Sequence, residues 1–195
     1  MSDIMNEIKV ISTDEKLDFS IFSKYSDTFI ETGTAGGAGI LNAIDSGFKI
    51  IKSVEAKDTY FNNCVEKFKD YDNVHLYFGM SQDKLKEMIS DLDKPCVFWL
   101  DAHVSGPNSA GHEDYMEKGN NSDYAQDNVL TSELDIILNH RKDHIILIDD
   151  QDGLNPVSES YINKVFESNK DYQFYLYDEM RGDILYKNKC LVCMI

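Results

Sequence analysis

The sequence predicts an α/β protein: a doubly wound, Rossmann-like sheet of seven strands with the last strand antiparallel. Three observations carry that expectation. Apolar, β-rich runs alternate with helix-period stretches along the chain, the mark of βαβ units. Several runs, Ile145-Ile146-Leu147-Ile148 among them, are apolar on both faces, which suits parallel strands covered by helices on either side. Only Asp178-Glu179-Met180-Arg181-Gly182 separates the last two strand candidates, too short for a crossover, so the final strand returns as a hairpin.

Each element has its own reason. Residues 1–26 read as an N-terminal extension covering part of a domain formed by residues 27–195. The first strand, 28–31, is an apolar run ending in an acid, and a helix over 37–44 follows it directly. A second strand, 49–54, leads into a helix at 58–68, and a third, 74–78, into a helix at 82–90 that Ser81 is placed to cap. The fourth strand, 96–101, is followed by a polar stretch, 104–126, rich in glycine and asparagine. A loop that long inside a compact domain is usually functional, and it leaves from the strand end where open α/β sheets bind ligands; it reads as a lid on the substrate side. A helix at 128–139, a strand at 145–150, a helix at 159–168 and the hairpin of 173–177 with 184–194 complete the chain.

Composition bounds the function. The 195 residues make one domain, and 42% hydrophobic content with 11% aromatics supports a packed core. Nineteen basic against 35 acidic side chains give a net charge of −16. Such a surface repels phosphates and anionic lipid, so neither nucleic acid nor membrane is an expected partner. There is no apolar run of 18 residues, and Met1-Ser2-Asp3-Ile4-Met5-Asn6-Glu7 lacks the basic and apolar regions of a leader, so a soluble, cytoplasmic protein is expected. Cys64, Cys96, Cys190 and Cys193 read as reduced, partly buried thiols, because Cys190 and Cys193 have no second pair or histidine partner. His112, His140 and His144 show no partnering pattern and read as surface residues. The oligomeric state is left open.

The most informative stretch is Glu31-Thr32-Gly33-Thr34-Ala35-Gly36-Gly37-Ala38-Gly39. A strand that stops at a glycine-rich turn and re-enters a helix brings bare backbone close to a ligand. A dinucleotide fingerprint fits poorly, since starting it at Gly37 and Gly39 places Asn42 where the third glycine belongs. The acid ahead of the glycines resembles motif I of the class I S-adenosylmethionine (SAM)-dependent methyltransferases, with Ala35 standing at the middle glycine of that pattern. SAM carries an ammonium, a carboxylate and a sulfonium and has no phosphates. Glu31 could accept from the ammonium, and the amides from Gly33 to Gly37 could donate to the carboxylate. The hairpin at the end of the chain agrees with that family.

The resemblance implies further site residues. Thr32, Gly33, Thr34, Gly37 and Gly39 would shape the cofactor loop. Glu55, closing the second strand, would accept both ribose hydroxyls, as one carboxylate can, with Ala56 beside it. Gly79, Met80 and Ser81 would flank the adenine. Asp101 after the fourth strand, with Asp149 and Asp150 after the fifth, should meet at one sheet edge. Three carboxylates there repel one another, and a hard divalent cation resolves the conflict. The arrangement resembles the metal-dependent O-methyltransferases, catechol-type and macrolide-sugar-type, and implies Asp101, Asp149 and Asp150 as ligands to Mg²⁺ or Mn²⁺. His103 lies two residues past Asp101 and reads as the base, or as a residue orienting Asp101. The string Leu100-Asp101-Ala102-His103-Val104-Ser105-Gly106 with Val129-Leu130-Thr131-Ser132-Glu133-Leu134 resembles bacterial and viral methyltransferases of glycan-building systems. The expectation is therefore a metal-assisted O-methyltransferase acting on a sugar or glycan hydroxyl. Catechol-like or other small-molecule acceptors, a non-catalytic cofactor-binding partner of a glycosyltransferase, and nicotinamide chemistry are the alternatives.

Overall fold

The computed structural model describes residues 8–11, 17–102, 122–150, 159–181 and 184–195. Eight strands form one sheet in the order β1-β7-β8-β6-β5-β2-β3-β4. They are β1 (Lys9–Ile11), β2 (Thr28–Thr32), β3 (Ile50–Glu55), β4 (Val74–Phe78), β5 (Val97–Leu100), β6 (Ile145–Ile148), β7 (Gln173–Arg181) and β8 (Ile184–Met194). The helices are α1 (Ser20–Ser23), α2 (Ala38–Asp45), α3 (Asp58–Lys67), α4 (Ser81–Ile89), α5 (Ser122–His140) and α6 (Glu159–Ser168). The expected seven strands, β2 to β8, are all present, and β8 runs antiparallel between β6 and β7. A short eighth strand, β1, adds to the edge by pairing parallel with β7, Lys9 opposite Tyr175.

The two-faced strands are buried on both sides for the reason the sequence suggests. Every residue of β2, β5 and β6 is buried. Side chains alternate between two cores because successive Cβ atoms point to opposite faces. Ile30, Phe98, Leu100, Ile146 and Ile148 pack under α4, α5 and α6 with Leu85, Leu134, Ile137 and Ile162. Phe29, Val97, Trp99, Ile145 and Leu147 pack under α1, α2 and α3 with Phe22, Ile40 and Cys64. The segment around α1 enters this second core through Phe19, whose ring lies 5.2 Å from Phe29 and 5.0 Å from Trp99. Cys190 and Cys193 fall in opposite cores and are free thiols, so they cannot share one ion.

Three elements differ from the sequence reading. The helix expected at 128–139 begins at Ser122, absorbing the end of the polar stretch. The other residues of the expected lid, 104–121, and His103 lie outside the described residues, as does His112. The hairpin is longer than its apolar core: Glu179, Met180 and Arg181 pair with Tyr186, Leu185 and Ile184 instead of forming a turn. Polar residues are no bar to an antiparallel ladder, and the register shift at Asp178 lets its buried carboxylate accept from Lys187 Nζ at 2.6 Å. Ser81 is the first helical residue of α4 and Met80 the N-cap, so Ser81 does not cap the helix.

Candidate active site

The carboxyl ends of β2, β3, β5 and β6 are tied together by backbone hydrogen bonds. Gly33 and Thr34 amides donate to Val54 O at 3.0 and 3.2 Å, the Asp101 amide to Thr32 O at 3.1 Å, and the Asp149 amide to Leu100 O at 3.1 Å. Gly33 is what allows the segments after β2 and β5 to sit so close: at φ +86° it adopts a left-handed conformation, and a Cβ there would stand 2.7 Å from Asp101 O.

The glycine loop after β2 is shaped mainly by its own amides. Ala35 N donates to Glu55 Oε2 at 2.8 Å and Gly37 N to Thr34 O at 2.8 Å. Of the amides expected to meet a carboxylate, those of Gly33, Thr34, Ala35 and Gly37 are therefore engaged within the protein. The remaining donors are Gly36 and the first turn of α2, a helix N-terminus of the kind that binds anions. Ala35 has φ +45°, a left-handed conformation that costs an L-residue on the order of 1–2 kcal/mol.

Glu31 turns inward. It is 2% exposed, accepts from Ser53 Oγ at 2.6 Å, and lies against Gly39, where any side chain would collide with its carboxylate. Ser53 Oγ is in turn 2.6 Å from Thr34 Oγ1, so the Thr34 hydroxyl is spent inside the protein. Burial pushes the Glu31 carboxyl up to about 8, the Ser53 hydrogen bond pulls it down, and the charges of Asp101 and Glu55 add to the rise. An acid buried in this way sits against the underside of the loop. Glu55 is placed as expected at the end of β3, but both its oxygens already accept backbone amides, Oε2 from Ala35 and Oε1 from Lys57 at 2.7 Å. Each oxygen retains a lone pair for a ribose hydroxyl. Gly79 N donates to Glu55 O at 2.9 Å, which brings Gly79, exposed Met80 and the half-buried Ala56 to the same rim.

The other half of the edge is a pocket lined by Leu100, Asp101, Ala102, Leu130, Glu133, Ile148 and Asp149. Asp101 and Asp149 meet there as expected, whereas Asp150, in a left-handed conformation at φ +55°, does not line it. Among the described residues no group of three or more His, Cys, Asp or Glu side chains is arranged to hold a metal ion. The expected ligand trio is thus not assembled by them.

Glu133, which carried no role in the sequence-based expectation, is the unforeseen member. It is 1% exposed, and its carboxyl is raised to about 7 by burial, drawn back by the Ser81 and Thr32 hydroxyls, and raised again by Asp101. Those hydroxyls lie near it without closing every bond: Glu133 Oε1 and Thr32 Oγ1 are both buried with no well-directed hydrogen bond. The available signal was an acid in the middle of an otherwise apolar helix face, Leu130, Glu133, Leu134 and Ile137.

His144 is no surface residue, and His140 is half-buried. His144 is fully buried before β6, accepts from Cys96 N at Nδ1 (3.0 Å) and lies 3.1 Å through Nε2 from His140 Nδ1. His140 Nε2 is 3.1 Å from Leu92 O, which can only accept. The partners fix both tautomers: His140 donates to Leu92, and His144 donates to His140. All of this sits at the amino edge of the sheet, away from the pocket.

No family model and no curated protein sequence matches the chain. Solved structures do. An O-methyltransferase from Bacillus cereus in complex with S-adenosylhomocysteine (SAH) is 13% identical, covers 91% of this chain and 78% of its own, and superposes with a TM-score of 0.54. An O-methyltransferase from Streptomyces achromogenes involved in tomaymycin synthesis, in complex with SAM, is 11% identical over 91% and 77%, with a TM-score of 0.55. An SAH-bound methyltransferase from Podospora anserina is 17% identical over 90% and 76%, with a TM-score of 0.50. At these identities the likeness is one of fold, and it confirms the Rossmann-like methyltransferase architecture expected from the sequence.

Proposed function

We propose that this protein is a SAM-dependent O-methyltransferase. The observation that carries the reading is the joint between β2 and β3: a glycine loop at the carboxyl edge, held in shape by the acid that ends the next strand, within a sheet whose antiparallel β8 is inserted between β6 and β7. The ligand-bound O-methyltransferases of the same fold support it. Gly36 and the first turn of α2 would meet the cofactor's carboxylate, Glu55 its ribose, and Met80 its adenine. Asp101, half-buried beside Gly33, replaces Glu31 as the acceptor for the ammonium. An acid-lined edge in a chain of net charge −16 also favours a cationic sulfonium.

Bound SAM supplies an electrophilic methyl group: the acceptor oxygen forms the new C–O bond as the S–C bond breaks, the electron pair stays on sulfur, and the hydroxyl proton leaves to a base. The protein's part is alignment, which is where transfer of this kind gains most of its rate. The pocket of Asp101, Glu133 and Asp149 adjoins the cofactor loop and offers carboxylates to hydroxyl donors, with Leu130 and Ile148 as apolar walls. A sugar or glycan hydroxyl suits such a lining, and the resemblance of residues 100–106 and 129–134 to glycan-system methyltransferases supports that acceptor class, with His103 as the proton acceptor it implies. Metal assistance by Mg²⁺ or Mn²⁺ remains the sequence-based part of the reading.

Calorimetric titration with SAH and with NADH tests the cofactor; SAH binding with no response to NADH is expected, and the reverse would overturn the reading. Release of SAH from SAM on incubation with a panel of mono- and oligosaccharides, with and without EDTA, tests the acceptor and the metal together.

A further inference from the structure

We infer that Cys64 and Lys67, on α3, are positioning residues for the glycine loop: together with Glu55 they grip Ala35 and Gly36 in a left-handed turn that this chain builds without glycine at residue 35, and so set cofactor affinity from the loop's outer side. The inference rests on the methyltransferase reading and adds to it a control element outside the binding surface.

Four observations converge. Ala35 is left-handed, at φ +45°, and a strained residue persists only where its surroundings over-determine it. Its amide is fixed by Glu55 Oε2 at 2.8 Å, and its carbonyl accepts from Cys64 Sγ at 3.4 Å. The next carbonyl, Gly36 O, accepts from Lys67 Nζ at 2.8 Å. Gly37 then packs against the Phe68 ring, so closely that a Cβ would come within 2.5 Å of it, and Lys67 Nζ sits 5.1 Å from the centre of the same ring. Burial holds the Cys64 thiol above its usual range, so it keeps the proton it donates. The carbonyls of Ala35 and Gly36 are thus held from α3, outside the residues assigned to the cofactor, while Glu55 holds the Ala35 amide. Release them, and Ala35 gains by relaxing to negative φ, which swings the Gly36 amide away from the place where a cofactor carboxylate would meet it. Glycine at residue 35 would remove that preference, because it adopts positive φ at no steric cost.

A mutant cycle read by SAH calorimetry tests this. Lys67→Met keeps the aliphatic stem and removes one grip; it should weaken SAH binding about 3-fold, and Cys64→Ala with Lys67→Met about 10-fold. Ala35→Gly added to the double variant should restore most of the lost affinity. A double variant that binds SAH normally, or one that Ala35→Gly fails to rescue, overturns the proposal. Lys67 is exposed, so its single variant and the pair Lys67→Met with Ala35→Gly stand even where the buried cysteine change disturbs folding. If the unmutated protein does not bind SAH, the methyltransferase reading falls separately. Amide exchange of Ala35 and Gly37 in ligand-free protein still decides the grip: both should exchange faster in Lys67→Met, and unchanged protection refutes it.

Discussion

The two edges of the sheet are built to different standards. At the amino edge, Cys96 N, His144, His140 and Leu92 O form a chain in which each ring nitrogen has a partner, and Tyr172 Oη closes on His144 O at 2.7 Å. At the carboxyl edge, Thr32 Oγ1 and Glu133 Oε1 are buried without well-directed bonds, two acids are pushed far above the carboxylate range, and Ala35 and Asp150 are left-handed. The contrast separates two uses of buried polarity. Satisfied groups fix the order of the elements; unsatisfied ones accumulate where a ligand completes them, which is where local rules are expected to break.

The sharpest way to break that comparison is to make the carboxyl edge as comfortable as the other. Glu133→Leu replaces a buried acid by a side chain that suits Leu130 and Ile148, so the melting temperature should rise. Methyl transfer to a competent acceptor should fall about 10²–10³-fold, the scale of losing a positioned polar group. A stabilised variant with full activity would place Glu133 outside the site. The converse experiment is His144→Ala. It leaves Cys96 N and His140 Nδ1 without partners and opens space beside Phe98, whose ring centroid is 4.8 Å away, so urea unfolding should show a loss of about 2–4 kcal/mol. SAH affinity should not change. If it does, the two edges are coupled.

What the sequence disclosed follows the same division. The two-faced strands and the antiparallel β8 were legible because burial on both faces marks covered parallel strands and a short connection turns the last strand back; the order of the strands across the sheet has no such local mark. Glu31, Gly33, Glu55 and Asp101 were locatable as strand-end residues, yet their orientation was not. An inward Glu31 depends on the empty space at Gly39 and on Ser53 one strand away, neither of which has a local signature. The His140–His144 pair has no local signature either, because its partners, Leu92 and Cys96, lie about 50 residues upstream. Glu133 stands in plain view within the 129–134 string, but only the meeting of α5 with Thr32 and Ser81 shows that it is buried. Asp150 was grouped with Asp149 by adjacency, whereas Asp149 lines the pocket and Asp150, left-handed at φ +55°, does not.

Glu55 belongs to both kinds of use at once, satisfied by two amides and poised for a ribose. Glu55→Ala should weaken SAH binding by about 1.5–3 kcal/mol, the range for hydrogen bonds to a charged group. Glu55→Gln should recover part of that, since the amide oxygen can still serve Ala35 while its NH₂ opposes Lys57. Equal losses in both variants would mean that charge, and not loop shape, dominates the contribution of Glu55.

The effect spread over the widest range of conditions is a pair of opposed pH slopes. Glu31 holds its proton to about pH 8 in the folded state and Glu133 to about 7, against an ordinary value of 4.5. Between those limits the native state binds protons that the unfolded chain has released, so their contribution to stability falls as pH rises through that window. His144 runs the other way. Burial, with the neighbouring His140 and Arg141 charges acting in the same direction and Asp143 against, lowers it from 6.5 to about 4, so the unfolded chain takes up a proton the native state refuses. Its contribution is present above 6.5 and is lost as pH falls towards 4. Each group can contribute at most about 1.4 kcal/mol per pH unit. Urea unfolding from pH 4.5 to 8.5 should therefore show Glu31→Gln gaining on the unmutated protein steadily with pH. The deficit of His144→Ala should shrink on acidification from 6.5 to 4.5. Flat difference curves would mean that water reaches both edges and that the contrast between them is one of hydrogen bonding alone.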